Sequence, residues 1–172
     1  MYDLDAVKSY ILKFQPTGVI VDTEMLILLL VGSYSLSHVG KCKFTNKFNE
    51  KDFHKLIKLL SFFKKIIITP YIIAEVSNQS KQAFYGDEMY GYFSSVLNIL
   101  KDTSEENAMF SSLVGMDTKI IADFGFTDMA MFDISKNSNN KIAIISNDTD
   151  FCIHAREKIP IIKFDDIKST II

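Results

Sequence analysis

Val19-Ile20-Val21-Asp22-Thr23-Glu24-Met25-Leu26 decides how this chain folds. Three successive β-branched residues with no polar alternation read as a strand buried on both faces. Asp22 stops the run. Thr23 can cap the helix that follows, predicted from about Glu24 to His38 and apolar on most sides, as central helices are. A buried strand leading directly into a helix is half of a parallel β–α unit.

The unit recurs along the chain. Ile66-Ile67-Ile68 is a second strand, and Thr69-Pro70 opens a helix with proline where its missing N–H costs little. Ile142-Ala143-Ile144-Ile145 is a third strand, followed by a short helix from Thr149 to Glu157 and a last strand from Ile159 to Phe164 around Pro160. Leu4, Val7, Ile11, Leu12 and Phe14 are spaced as on a helix that ends at Pro16 and Gly18, and Phe53, Leu56, Ile57, Leu60 and Phe63 mark an amphipathic helix. Another helix is predicted from Glu88 to Leu100. Thr103-Ser104-Glu105-Glu106 fits a capping box, so a helix should follow it. Thr127 is read as the cap of a helix from Asp128 to Lys136, and Asn137-Ser138-Asn139-Asn140 as a polar turn. Alternating strands and helices predict an α/β/α sandwich around a central, mainly parallel sheet. One domain over residues 1–172 is expected, with a helical N-terminal extension over 1–17.

The chain has 172 residues, 48% hydrophobic and 23% charged, which is the balance of a globular protein. Its net charge of -2 excludes an overall basic nucleic-acid binder but leaves room for a local basic patch. Cys42 and Cys152 stand in no metal-ligand spacing and read as reduced thiols. Met1-Tyr2-Asp3-Leu4-Asp5 is acidic, unlike a signal peptide, and the run Met25 to Val31 falls short of the roughly 20 residues that span a bilayer. A soluble, cytoplasmic protein with no membrane partner is expected.

Acidic residues recur at one kind of place. Asp22 ends the first strand. Glu75 sits in the helix after the second, beside Ile72, Ile73 and Val76. Asp128 shares a helical stripe with Met131, Phe132 and Ser135. Asp148 and Asp150 follow the apolar strand 142–145. Singly, each reads as a helix cap or first-turn acid, or, for Glu75, as a rim residue paired with a lysine such as Lys81. Together they fall at one edge of an open sheet, where ligands bind. Carboxylates sharing a cleft repel one another unless a cation joins them, and Mg2+ or Mn2+ favours such oxygen ligands. Two such ions suit phosphodiester hydrolysis.

Val21-Asp22-Thr23-Glu24, Thr69-Pro70-Tyr71-Ile72-Ile73-Ala74-Glu75-Val76, Gly125-Phe126-Thr127-Asp128 and Ser146-Asn147-Asp148-Thr149-Asp150-Phe151, in that order, resemble the motifs of the PIN-domain ribonucleases from about Val19 to Phe164. The resemblance implies a metal-dependent endoribonuclease that cleaves single-stranded RNA. Asp22, Glu75, Asp128 and Asp148 would form its catalytic pocket. Asp22, Asp128, Asp148 and Asp150 would be its Mg2+ or Mn2+ ligands, with the last role open between Asp148 and Asp150. Ser146, Thr23 and Glu24 would support them. It also implies a toxin–antitoxin setting, with an antitoxin protein as partner and a homodimer as the assembly. Glu24 replaces the small polar residue usual in the family, and either adds a ligand or crowds the pocket. The segment 1–17 and the length of the chain also depart from the compact toxins.

For RNA contact, Lys41, Lys43 and Lys47 alternate with Phe44 and Phe48, offering charge for phosphates and rings for bases; a solvated loop with buried Phe anchors fits equally. The alternative from another class is a catalytically idle PIN-like module that binds protein or RNA. A haloacid-dehalogenase-like phosphatase needs Asp-x-Asp where this chain has Asp22 and Glu24, and would leave Glu75 without a role. The phosphate-binding G-x-x-x-x-G-K-[ST] segment is absent, and His38, His54 and His154 lack zinc-ligand spacing.

Overall fold

The computed structural model of the chain describes residues 4–171. Met1, Tyr2 and Asp3, which entered the reading of the N-terminus, lie outside the described residues. Val19–Val21 (β1) pairs in parallel with Ile66–Ile68 (β2) on one side and with Ala143–Ser146 (β4) on the other. Ser104–Glu105 (β3) extends the sheet beyond β2, and Ile161–Lys163 (β5) extends it beyond β4, both in parallel. The five strands run in the order β3-β2-β1-β4-β5. Successive side chains of a strand point to opposite faces. Val19, Ile20 and Val21 are all 0% exposed, so helices cover both faces and the α/β/α sandwich holds.

The strand order positions the site. The chain winds outward from β1 to β2 and β3, then returns to the other side of β1 for β4 and β5. The winding reverses at the C-terminal ends of β1 and β4, the crevice where open parallel sheets take their ligands. Asp22 follows β1 directly, and Asp148 lies just past β4.

Helix Leu4–Phe14 (α1) sends Ile11 and Phe14 into the core. Thr23–Tyr34 (α2) is buried nearly all round and packs against Glu50–Leu60 (α3), Pro70–Ser80 (α4) and Gly86–Leu100 (α5). This matches its lack of a polar face. Asp22, rather than Thr23, is its N-cap, accepting the Met25 N–H at 2.8 Å. The helix stops at Tyr34, short of His38, because Ser35 turns extended and Leu36–His38 forms a separate 3-10 turn. Helix α3 starts before Phe53 because Asn49 and Asp52 make a reciprocal capping box there.

Thr103-Ser104-Glu105-Glu106 does not open a helix. The Ser104–Glu105 backbone pairs with Ile67 and Ile68 as β3, and the Thr103 hydroxyl donates back to the Leu100 carbonyl instead of capping forward. Ladder pairing at the sheet edge outweighs the local capping signal. The next helices are Phe110–Val114 (α6) and Thr118–Asn137 (α7). Helix α7 begins ten residues before Asp128, capped by Asp117, and Thr127 makes no capping hydrogen bond among the described residues. Gly125, at φ 76 and ψ 178, breaks its course. A side chain is rarely tolerated at that φ. Thr149–Ala155 (α8) and Phe164–Ile167 (α9) complete the chain, α9 beginning where the last strand was expected to continue. Among the described residues, no helix is long and apolar enough to cross a membrane.

Gly32 lets α2 and α3 touch. A Cβ there would lie 2.2 Å from Cδ2 of the buried Phe53 ring. Gly32→Ala gains up to about 1 kcal/mol of helix propensity, but forcing the ring aside costs more. A net loss of about 1–2 kcal/mol is expected in urea unfolding. A stabilised variant would mean that Phe53 has space to move.

Candidate active site

A cleft of about 410 Å3 lies at the reversal point, lined by Asp22, Thr23, Glu24, Glu75, Gln79, Asp128 and Asp148 and by the loop residues Lys43, Phe44, Asn46 and Lys47. Asp22, Glu75, Asp128 and Asp148 therefore meet from four separate elements. Asp150 does not line the cleft and is exposed on α8, and the exposed Lys41 also lies outside the lining.

Asp22 is held by the fold. One oxygen accepts the Met25 N–H and the other accepts the Asn147 N–H at 3.3 Å, while the Ser146 hydroxyl also bonds to it. Burial outweighs these acid-strengthening bonds and, with the nearby Glu24 charge, pushes the carboxyl up to about 6. Ser146 also accepts the Asp148 N–H at 3.1 Å. One hydroxyl thus ties the two acids that flank the crevice. Asp148 caps α8 by accepting the Phe151 N–H at 2.8 Å.

Glu75 lies one helical turn beyond the N-terminus of α4. Its oxygens accept the Thr23 hydroxyl at 2.9 Å and the Gln79 side-chain amide at 3.2 Å. These partners stand where the alternative reading of Glu75 as a rim residue would put a lysine such as Lys81. Asp128 sits on the segment of α7 that restarts after Gly125, above Met131, Phe132 and Ser135, which are buried as expected. Burial, then the charges of Asp22, Asp148 and Glu75, push its carboxyl up to about 7. No hydrogen bond holds that side chain among the described residues.

The donor set is hard oxygen, the kind that Mg2+ and Mn2+ prefer. Asp128, crowded by three like charges, is the group a cation would relieve. Among the described residues, no three His, Cys, Asp or Glu side chains are drawn together tightly enough to hold a metal ion as they stand. Glu75 and Asp22 are each tied to neighbouring donors. An ion would sit among these acids with water completing its shell, as Mg2+ commonly does.

Some site residues carry no clear signal in sequence. Gln79 is legible only as the i+4 neighbour of Glu75. Asn147 is 7% exposed, and besides its N–H to Asp22 its side-chain amide exchanges hydrogen bonds with Asp165. Cys152, fully buried on α8, has its thiol pushed up to about 11, chiefly by burial, so it stays protonated and unreactive; both cysteines are free. No protein-family model matches the chain, and no curated protein does.

Proposed function

We propose that this chain is a PIN-like, Mg2+- or Mn2+-dependent endoribonuclease acting on single-stranded RNA. The observation that carries the reading is the meeting of Asp22, Glu75, Asp128 and Asp148 in one cleft at the sheet's reversal point, close enough that three of them raise the pKa of the fourth. Asp22, Asp128 and Asp148 would hold the ion, with Asp148 favoured over Asp150 because only Asp148 faces the cleft. A bound ion would supply charge stabilisation at the phosphodiester and a more acidic attacking water. Glu75, anchored by Thr23 and Gln79, would accept a hydrogen bond from the attacking water. Ser146 and Asn147 hold the Asp22 carboxylate in place at the cleft.

A cytoplasmic location fits two free, buried thiols. Action as the toxin of a toxin–antitoxin pair, inhibited by a protein partner and assembled as a homodimer, belongs to the same proposal. The second reading is an idle PIN-like binding module, and the lack of a ready-made cation cage among the described residues favours it. Incubating purified protein with single-stranded RNA separates the two. Cleavage in Mg2+ or Mn2+, lost in EDTA and matched by heat on titrating the ion, is the expected result. RNA left intact with either metal, and no heat of ion binding, would leave the idle module.

A further inference from the structure

Five carboxylates line the cleft: Asp22, Glu24, Glu75, Asp128 and Asp148. A polyanion entering it needs cations close by. Among the described residues, the cationic side chains lining the cleft are Lys43 and Lys47, both from the turn-rich loop 39–49. That loop is firmly seated. Val39, Cys42, Thr45 and Phe48 recur at every third position and are all buried, and successive turns bond Cys42 to His38, Thr45 to Cys42 and Phe48 to Thr45. The intervening Lys43, Phe44, Asn46 and Lys47 are thereby turned toward the acids.

Both lysines are already engaged. Lys47 Nζ lies 2.7 Å from Glu24 Oε1, and Lys43 Nζ donates to Gln82 Oε1 at 3.3 Å. The Glu24–Lys47 pair is partly solvated, with side chains 31% and 52% exposed, and such pairs are weak. An incoming phosphate can take the lysine over.

We infer that Glu24 is a positioning residue that parks Lys47 at the cleft's rim, and that Lys47 and Lys43 form the wall that receives the phosphates of single-stranded RNA. The inference rests on the ribonuclease reading and gives Glu24, the residue that departs from the family pattern, a role other than cation ligand. In the free protein Glu24 competes with RNA for Lys47, so it sets affinity by holding the lysine back.

The test uses the full chain in EDTA, where no cleavage takes place, and a fluorescein-labelled oligouridine of about 12 nucleotides followed by anisotropy across a salt series. Lys47→Met should weaken binding several-fold and reduce the slope of log K against log salt by about 0.7. Glu24→Gln should tighten binding about two- to five-fold. Adding Glu24→Gln to Lys47→Met should change nothing further. Equal tightening with and without Lys47 would reduce Glu24 to general repulsion and overturn the inference, as would an unchanged salt slope in Lys47→Met. A Mn2+ titration by calorimetry should show Glu24→Gln weakened by no more than about threefold, the effect of one nearby charge; a loss of about tenfold or more would make Glu24 a ligand instead. Failure of the wild type to bind the oligouridine would overturn the ribonuclease reading as well, whereas wild-type binding by Lys47→Met overturns this inference alone.

Discussion

Asp128→Asn is expected to melt higher than the wild type and to stop cleaving RNA. The two effects share one cause. Burial and the charges of Asp22, Asp148 and Glu75 push the Asp128 carboxyl from 3.8 up to about 7. At about pH 8 the metal-free wild type must still hold it ionised. Asparagine keeps the shape and removes the charge. Because no hydrogen bond holds the Asp128 carboxylate among the described residues, the substitution forfeits none there. The upward shift corresponds to at most about 4 kcal/mol, and solvent at the cleft mouth reduces the expected gain to about 2–3 kcal/mol. For a chain of this size that is a rise of about 5–10 °C in Tm, read by calorimetry or circular dichroism in EDTA. Under the ribonuclease reading, the lost charge removes about 10²–10³-fold of turnover in Mg2+ or Mn2+. A variant no more stable than the wild type would show that the acids are not crowded. Wild-type cleavage rates in the variant would trace the activity to a contaminating nuclease.

Metal-free wild-type protein should lose stability as pH rises from about 4 to about 8. Asp22 and Asp128 have folded-state values of about 6 and about 7 against 3.8 when free, so the fold binds their protons more tightly than the unfolded chain does. Stability from such groups is complete below the free value and is lost as pH climbs through the folded values. The coupled loss is about 3–5 kcal/mol. His154 works the other way, since burial and then Lys158 hold its imidazole below 6.5, but that slope ends at 6.5 and leaves the fall through about 7 intact. Burial raises the Asp165 carboxyl, but bonds from Lys168 and Asn147 outweigh it and hold it below 3.8, outside the window. Urea unfolding across this pH range, with and without saturating Mg2+, measures the effect. An ion that binds only the folded state adds about 2.7 kcal/mol at a hundredfold excess over Kd and should flatten the curve. A flat curve in EDTA would contradict the crowding of Asp22 and Asp128.

The central fold is legible in the sequence because its signals are local and dense. The triplets Val19-Ile20-Val21 and Ile66-Ile67-Ile68 are strands in the structure at those residues. Helix α2 is buried as its even apolar coverage implies. The edges are less legible, since long-range pairing decides them. Ser104–Glu105 has no strand-like composition and is held only by the neighbouring β2. The first half of α7 escapes a sequence reading because Gly125 looks like a terminator, although helix continues on both sides of it. In the cleft, Asp22, Glu75, Asp128 and Asp148 can be read from their places after strands and on helices. Asn147 and Gln79 cannot, because their roles exist only once distant elements meet. Glu24 is visible as unusual, but its pairing with Lys47 exists only once the loop is seated beside the cleft.

The hydrogen bond from the Asn147 N–H to Asp22 joins residues 125 apart in sequence, and β1 lies between a strand that follows it closely and one that comes late. Synthesis proceeds from the N-terminus at about 5–20 residues per second. Asp22 and Glu75 therefore leave the ribosome well before the residues that complete their surroundings. A chain terminated before β4 has no partner for the open side of β1 and lacks Asp148 from its cleft. Whatever chemistry the cleft performs is withheld from any product that stops short of β4.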